Sequence, residues 1–170
     1  MATKKIVLAG GCFYGVEGYM AALPGVVDTQ VGYANGHTED PKYEQVKKGD
    51  TGFAESCEVF YDPEIISLRT LLRHFLRTID PTTLNRQGHD VGTQYRSAIF
   101  YGDESEKELA LELLAKEQKK WKDPIVLAVE PFVNFYDAEE YHQDYLKKDP
   151  CGHCHIDMGL LDVPLGPEEQ

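Results

Sequence analysis

KKIVLAGGCFYGVEGYMAALPG, residues Lys4 to Gly25, decides how the chain begins to fold. Lys5 to Ala9 reads as a short buried strand, ending an apolar run from Ile6 to Ala9. Cys12 to Ala22 reads as a helix that stops at Leu23-Pro24-Gly25. Between them, Gly10 and Gly11 let the backbone turn tightly. A strand passing through a glycine turn into a helix opens a β-α unit, and this one sets a cysteine at the turn.

The rhythm continues outward from that unit. Val26 to Tyr33 reads as a second strand, Asn35 to Pro41 as a loop and Tyr43 to Lys48 as a helical turn. Ala54 to Tyr61 is a third strand, ended by Asp62-Pro63. Leu68, Leu71, Leu72, Phe75 and Ile79 recur at helical spacing, so Ser67 to Thr78 is an amphipathic helix. Tyr95 to Tyr101 reads as a strand and Glu104 to Lys120 as a charged helix with Leu109, Leu113 and Leu114 inward. Ile125 to Val129 is a further strand. Asp137 with Glu140 resembles a capping box opening a helix to Leu146. The order β-α-β-β-α-β predicts an α+β fold, a two-layer ferredoxin-like sandwich with helices packed on one mixed sheet.

The 170 residues suit one domain, and no repeat, linker or low-complexity segment interrupts them. A formal net charge of -12 argues against a nucleic-acid or anionic-membrane partner, because phosphates need basic surfaces. No apolar run approaches the roughly 18 residues of a membrane helix. The four-residue run Ile6 to Ala9 is shorter than the roughly 7–15 of a secretory signal, so a cytoplasmic location is expected. An acidic surface also fits a monomer.

Two segments do not serve the fold. Asp80 to Gln94 (DPTTLNRQGHDVGTQ) is polar and without period, and so long a loop in one domain is usually functional or disordered. The chain from Lys147 is rich in Gly and Pro and contains CGHCH, Cys151 to His155. The four cysteines, Cys12, Cys57, Cys151 and Cys154, are too few for a disulfide scaffold. Cys12 stands at a helix N-terminus, where free N–H groups and a partial positive charge favour a thiolate, the attacking form. Cys57 alternates with Val59 and Tyr61 and reads as core, with an extra resolving thiol as the alternative. Cys151, Cys154, His153 and His155 make half of a zinc site, without a second pair at finger spacing. A thioredoxin-like module using Cys151 and Cys154 would need that pair near a β-α-β unit rather than behind the last helix. His142 reads as packing or support within YHQDY.

The residues around Cys12 narrow the reading. GCFYG is close to the GCFWG signature of the methionine sulfoxide reductase A family. Further matches follow in that family's order: GYANG at Gly32 to Gly36, PKYEQVKKGDTGFAE at Pro41 to Glu55, VFYDP at Val59 to Pro63, RQGHDVGTQYRSAIFY at Arg86 to Tyr101, AEEYHQDYL at Ala138 to Leu146, and CHIDM at Cys154 to Met158. The sequence therefore resembles that family over nearly its whole length. Three positions depart from the pattern: Tyr14 stands where the family usually has Trp, and Phe53 and Ile79 each stand where it usually has His.

The resemblance implies a nucleophile at Cys12, an acid at Glu55, hydroxyl donors at Tyr43 and Tyr95, a loop carboxylate at Asp90 and an aromatic wall at Phe13 and Tyr14. The chemistry suits those types. Attack on a sulfoxide sulfur needs a thiolate and a proton for the oxygen, and a carboxyl whose pKa is raised by burial can donate one. Phenols can hydrogen-bond the same oxygen. Aromatic rings can hold the methyl on sulfur. The product is a Cys12 sulfenic acid, which condenses with a thiol. The family's tail cysteine falls on Cys154, the expected resolver, and Cys151 can move the disulfide to Cys151–Cys154 for thioredoxin. The resemblance divides the chain into a reductase domain, residues 1–146, and a tail, residues 147–170. It implies the S epimer of methionine sulfoxide, free or in oxidised proteins, as substrate. It implies no bound cofactor or metal, with reducing equivalents from thioredoxin or a dithiol.

Overall fold

Strand β1 (Lys4–Ala9) leads through Gly10-Gly11 into helix α1 (Phe13–Ala21), with Cys12 at the helix N-cap. These elements come from a computed structural model, which describes residues 3–39, 41–48, 51–87, 90–139, 143, 160 and 163–165. Then follow β2 (Val26–Ala34), the single turn α2 (Tyr43–Val46), β3 (Ala54–Tyr61) and α3 (Leu68–Arg77). A two-residue pair, β4 (Arg86–Gln87) and β5 (Asp90–Val91), precedes β6 (Ala98–Tyr101). The described elements close with α4 (Glu104–Gln118), β7 (Ala128–Pro131) and β8 (Phe135–Asp137). The fold is a mixed α+β sheet carrying helices.

The sheet runs β7-β6-β1-β3-β2-β8. β1 is antiparallel to both β3 and β6, β2 is antiparallel to β3, and β7 is parallel to β6. Ile6, Leu8, Val31, Cys57, Val59 and Ile99 pack with Phe13, Val16, Tyr19 and Met20 of α1 and with Leu71, Leu72 and Phe75 of α3. Capping fixes where the outer helices start. The Ser67 hydroxyl accepts from the Thr70 amide, and an Asp103 carboxylate oxygen accepts from the Glu106 amide at 2.9 Å.

The two outer strands force the sheet to curl. Flat, six strands about 4.8 Å apart would separate β7 from β8 by roughly 24 Å. Yet only residues 132–134 join them, a reach of at most about 14 Å. Small residues make the curl possible. Ala9, Ala34, Ala54 and Ala98 form a second buried cluster with Val7 and Phe100, and Phe132 and Phe135 pack against it. Gly32 belongs to the same accommodation, since a Cβ there would come 2.3 Å from the Tyr136 carbonyl oxygen. Asn35 ties the crossing down. Its Nδ2 donates to the Pro131 carbonyl at 2.9 Å and its Oδ1 accepts from the Val133 amide at 2.8 Å.

Three expected boundaries move. The strand expected from Tyr95 starts at Ala98, because Thr93–Tyr95 is a 3-10 turn in which the Tyr95 amide donates to the Gly92 carbonyl at 3.0 Å. The strand expected from Ile125 starts at Ala128, because the Val126 and Leu127 amides donate to the Pro81 carbonyl instead of to β6. Asp137, expected to cap a helix, ends β8 and pairs with Gly32. The remainder of that helix, residues 140–142 and 144–146, lies outside the described residues.

Candidate active site

The turn that carries Cys12 is built by two glycines for two reasons. Gly11 has φ 80°, a left-handed conformation that strains other residues. Gly10 is packed too tightly for a side chain, since a Cβ would meet Ile79 Cγ2 at 2.7 Å and the Phe75 ring at 3.0 Å. Ile79, one of the departures, thus braces the turn by apolar contact. Cys12 emerges at the N-cap of α1 with φ -62° and ψ 128°, buried at 8% exposure. Its thiol sits at the positive end of the helix.

Glu55 faces that turn from β3. It is 1% exposed, and its Oε1 accepts a hydrogen bond from the Phe13 amide at 3.3 Å. Its Oε2 is buried and has no hydrogen-bond partner among the described residues. Burial is the main reason that its pKa rises from 4.5 to about 8; the Phe13 amide opposes the rise and the negative charge of Asp90 adds to it. At neutral pH this carboxyl therefore holds a proton.

Two phenols join the carboxyl. Tyr43 comes from α2, and Tyr95 from the 3-10 turn before β6. They are hydrogen-bonded to each other, and burial with the nearby Glu55 charge raises both of their pKa values. The Cys12 charge also acts on Tyr43, and the Asp90 charge on Tyr95. Asp90 opens β5 beside the buried Gln87. Phe13 and Tyr14 stand as tilted rings with centroids 5.3 Å apart, and Phe13 also meets Tyr33 at 5.8 Å. The fold thus gathers Cys12, Phe13, Tyr14, Tyr43, Glu55, Asp90 and Tyr95 from five separate segments.

The long polar loop is ordered by a side chain that sequence reading passed over. Gln87 Nε2 donates to the Asp80 carbonyl at 2.7 Å and to the Ser97 hydroxyl at 2.9 Å, and its Oε1 accepts from the Asp80 amide. Arg96 Nη1 donates to the Thr93 carbonyl at 3.1 Å and stiffens the turn that presents Tyr95. Glu139 is a second residue the sequence did not single out. Its Oε1 accepts from the Tyr33 hydroxyl at 3.1 Å and its Oε2 from the Tyr43 amide at 3.4 Å, linking β2 to α2. The run AEEYHQDYL that carries Glu139 was the available signal. Phe53, where the family pattern has His, is a core residue. It is buried edge-on against Tyr136 at 5.8 Å, and its ring fills the space over Gly36.

Cys57 is fully buried between Leu8 and Val31. Cys151, Cys154, His153, His155 and His142 lie outside the described residues. Among the described residues no three His, Cys, Asp or Glu side chains gather as a metal site, and no helix is long and apolar enough to cross a membrane.

A family model described as peptide methionine sulfoxide reductase matches residues 4–164. The chain is 56% identical over 155 residues to the peptide methionine sulfoxide reductase MsrA of Clostridium botulinum strain Okra, covering 91% of this chain and 99% of that one. It is similar to the crystal structure of Mxr1 from Saccharomyces cerevisiae in reduced form, with TM-score 0.85, 42% identity and 91% of each chain covered. It is also similar to Mxr1 in complex with Trx2, with TM-score 0.61, 36% identity and 84% of each chain covered.

Proposed function

Because the chain belongs to the peptide methionine sulfoxide reductase family, we propose that it reduces methionine-S-sulfoxide, free or within proteins, to methionine. The Cys12 thiolate attacks the sulfoxide sulfur. Glu55 delivers a proton to the oxygen, and Tyr43 and Tyr95 hydrogen-bond that oxygen as its charge grows. Phe13 and Tyr14 hold the methyl group, and Asp90 orients a water or a tyrosine. Methionine leaves and Cys12 remains as a sulfenic acid. Cys154 condenses with it, releasing water. Cys151 then takes over the disulfide, and the Cys151–Cys154 bond passes to thioredoxin.

One observation carries this reading. The buried Oε2 of Glu55 has no partner among the described residues, and the carboxyl that bears it keeps its proton to about pH 8. An unsatisfied buried polar atom is costly, so it needs a compensating use. A sulfoxide oxygen is an acceptor that would use it. The Mxr1–Trx2 neighbour supports thioredoxin as the reductant. We further read the frame as ferredoxin-like, supported by the antiparallel order β6-β1-β3-β2. Residues 1–146 act as the reductase domain and residues 147–170 as the recycling tail of a cytoplasmic monomer that needs no bound cofactor.

Steady-state turnover driven by thioredoxin tests the proposal. Turnover is expected with the S epimer alone and none with Cys12→Ser. Equal turnover of the R epimer, or activity surviving in Cys12→Ser, overturns it.

A further inference from the structure

We propose that Arg77 is a positioning residue for the thiol relay, holding the chain beyond Cys154 so that this thiol stays within reach of Cys12. The proposal rests on Cys154 being the resolving cysteine. Arg77 is the last residue of α3. Its Nη1 donates to the carbonyls of Leu160 at 3.2 Å and Val163 at 2.6 Å, and its Nη2 donates to the Pro164 carbonyl at 3.1 Å. Few side chains can do this. The guanidinium presents several donors in one rigid plane, whereas lysine offers a compact point charge.

The clamp lies close to the nucleophile. Ile79 follows Arg77 by two residues, about 7 Å of chain at most, and it packs on Gly10 in the turn that leads to Cys12. On the near side of the tail, Gln143 makes a corresponding anchor. Its Oε1 accepts from the Val31 amide at 2.9 Å, and its Nε2 donates to the Val31 carbonyl at 2.9 Å and the Ala138 carbonyl at 3.0 Å. Cys154 is eleven residues past Gln143 and six before Leu160. The two anchors therefore bracket the resolving thiol.

The step that benefits is condensation. The S–O bond of the Cys12 sulfenic acid breaks as the Cys12–Cys154 S–S bond forms. The oxygen leaves as water with the thiol proton, so no outside oxidant is needed. Chain connectivity sets the scale of the benefit. For an ideal chain, a second anchor six residues away on the other side confines a site held eleven residues from the first by about fivefold in volume. Loss of the Arg77 clamp lowers the effective concentration of Cys154 by that factor. Reduction of the sulfoxide itself involves no tail group and stays as it was.

Single turnover of the prereduced full chain with one equivalent of methionine-S-sulfoxide tests this. Methionine is counted, dimedone traps the sulfenic acid, and intact mass follows disulfide formation. Arg77→Ala is expected to form methionine at the wild-type rate, to accumulate more dimedone adduct and to close the disulfide about fivefold more slowly. Arg77→Lys should fall between it and the wild type. A wild-type disulfide rate in both variants overturns the role, and so does an equal slowing of methionine formation, which would mark a purely structural residue. Cys154→Ser separates the two levels. If it closes a Cys12 disulfide as fast as wild type, the assignment of Cys154 fails and the role of Arg77 with it. If it is slow while both Arg77 variants are fast, only the role of Arg77 fails.

Discussion

Replacing Glu55 by glutamine keeps the outline of the side chain and removes the proton it is held to donate. Loss of a general acid costs roughly 10²–10⁴ in rate, and that is the expected drop in methionine formation at pH 7. The wild-type rate should fall about tenfold per pH unit above pH 8, where the carboxyl ionises, and the variant should lack this alkaline limb. Stability follows the same titration. The carboxyl titrates near 4.5 in the unfolded chain and near 8 in the folded one. Between those values the folded state binds more protons, so stability falls as pH rises through that window. The raised pKa corresponds to a loss of about 2 kcal/mol between pH 6 and pH 8 in the wild type. Glutamine has no such slope, and any fixed cost of burying its amide cancels in the comparison. Stopped-flow methionine formation from pH 6 to 9.5, with urea unfolding at pH 6, 7 and 8, measures both effects. A full rate for Glu55→Gln at pH 7 would remove Glu55 as the proton donor, and a stability difference that does not widen with pH would deny its raised pKa.

Tyr43→Phe and Tyr95→Phe should each slow single-turnover methionine formation by roughly 10²-fold, as when one oxyanion donor is lost. Their double variant should lose less than the product, because the two phenols are hydrogen-bonded to each other; strictly multiplicative losses would deny that coupling. Glu139→Ala releases both the Tyr33 hydroxyl and the Tyr43 amide. It should cost about 1–2 kcal/mol in urea unfolding and lower kcat through Tyr43, and an unchanged kcat would show that the bridge does not position the phenol. Arg73 is 1% exposed, its guanidinium nitrogens have no hydrogen bond among the described residues, and the Glu117 carboxylate lies 3.7 Å from its Nη1. Arg73→Met should therefore leave stability unchanged or raise it, with methionine formation intact, because Glu117 keeps Lys120 at 3.4 Å and the Trp121 ring N–H at 3.0 Å. A clear loss in urea unfolding would mean that the guanidinium holds the α3–α4 contact.

The strand–turn–helix around Cys12 was legible because every signal there is local: an apolar run, two glycines and a Leu-Pro-Gly stop. Helices α3 and α4 were likewise legible, from the spacing of their own apolar residues. Other features depend on partners far away in sequence. β8 is three residues long and exists because Gly32 and Ala34 leave an edge to pair with, so Asp137 looked instead like a helix cap. The 3-10 turn at Thr93–Tyr95 was hidden because Tyr95 and the apolar residues of β6 read as one continuous strand. Within the site, Cys12 was read from its place at the glycine turn as well as from the resemblance, whereas Glu55, Tyr43, Tyr95 and Asp90 came from the resemblance. What the sequence did not expose is the support: Gln87, Arg96 and Glu139 act through hydrogen bonds to loops and strands that no periodicity reports. The departures at Phe53 and Ile79 read as lost polar groups, yet in the fold they are apolar contacts that brace Gly36 and Gly10.

The proposed mechanism has Cys12 reduce the sulfoxide with a proton from Glu55, and transfer of the disulfide to Cys151–Cys154 then frees Cys12 again. Prereduced protein without added reductant, mixed separately with methionine-S-sulfoxide and methionine-R-sulfoxide, tests it most directly when methionine is counted per chain and disulfides are then mapped. With one equivalent of sulfoxide, the account predicts one methionine per chain from the S epimer, none from the R epimer, and a Cys151–Cys154 bond in the product; with excess S epimer a second methionine follows, because the transfer frees the Cys12 thiol. No methionine from the S epimer would contradict it, and so would methionine formed while Cys12 can be replaced by serine without loss.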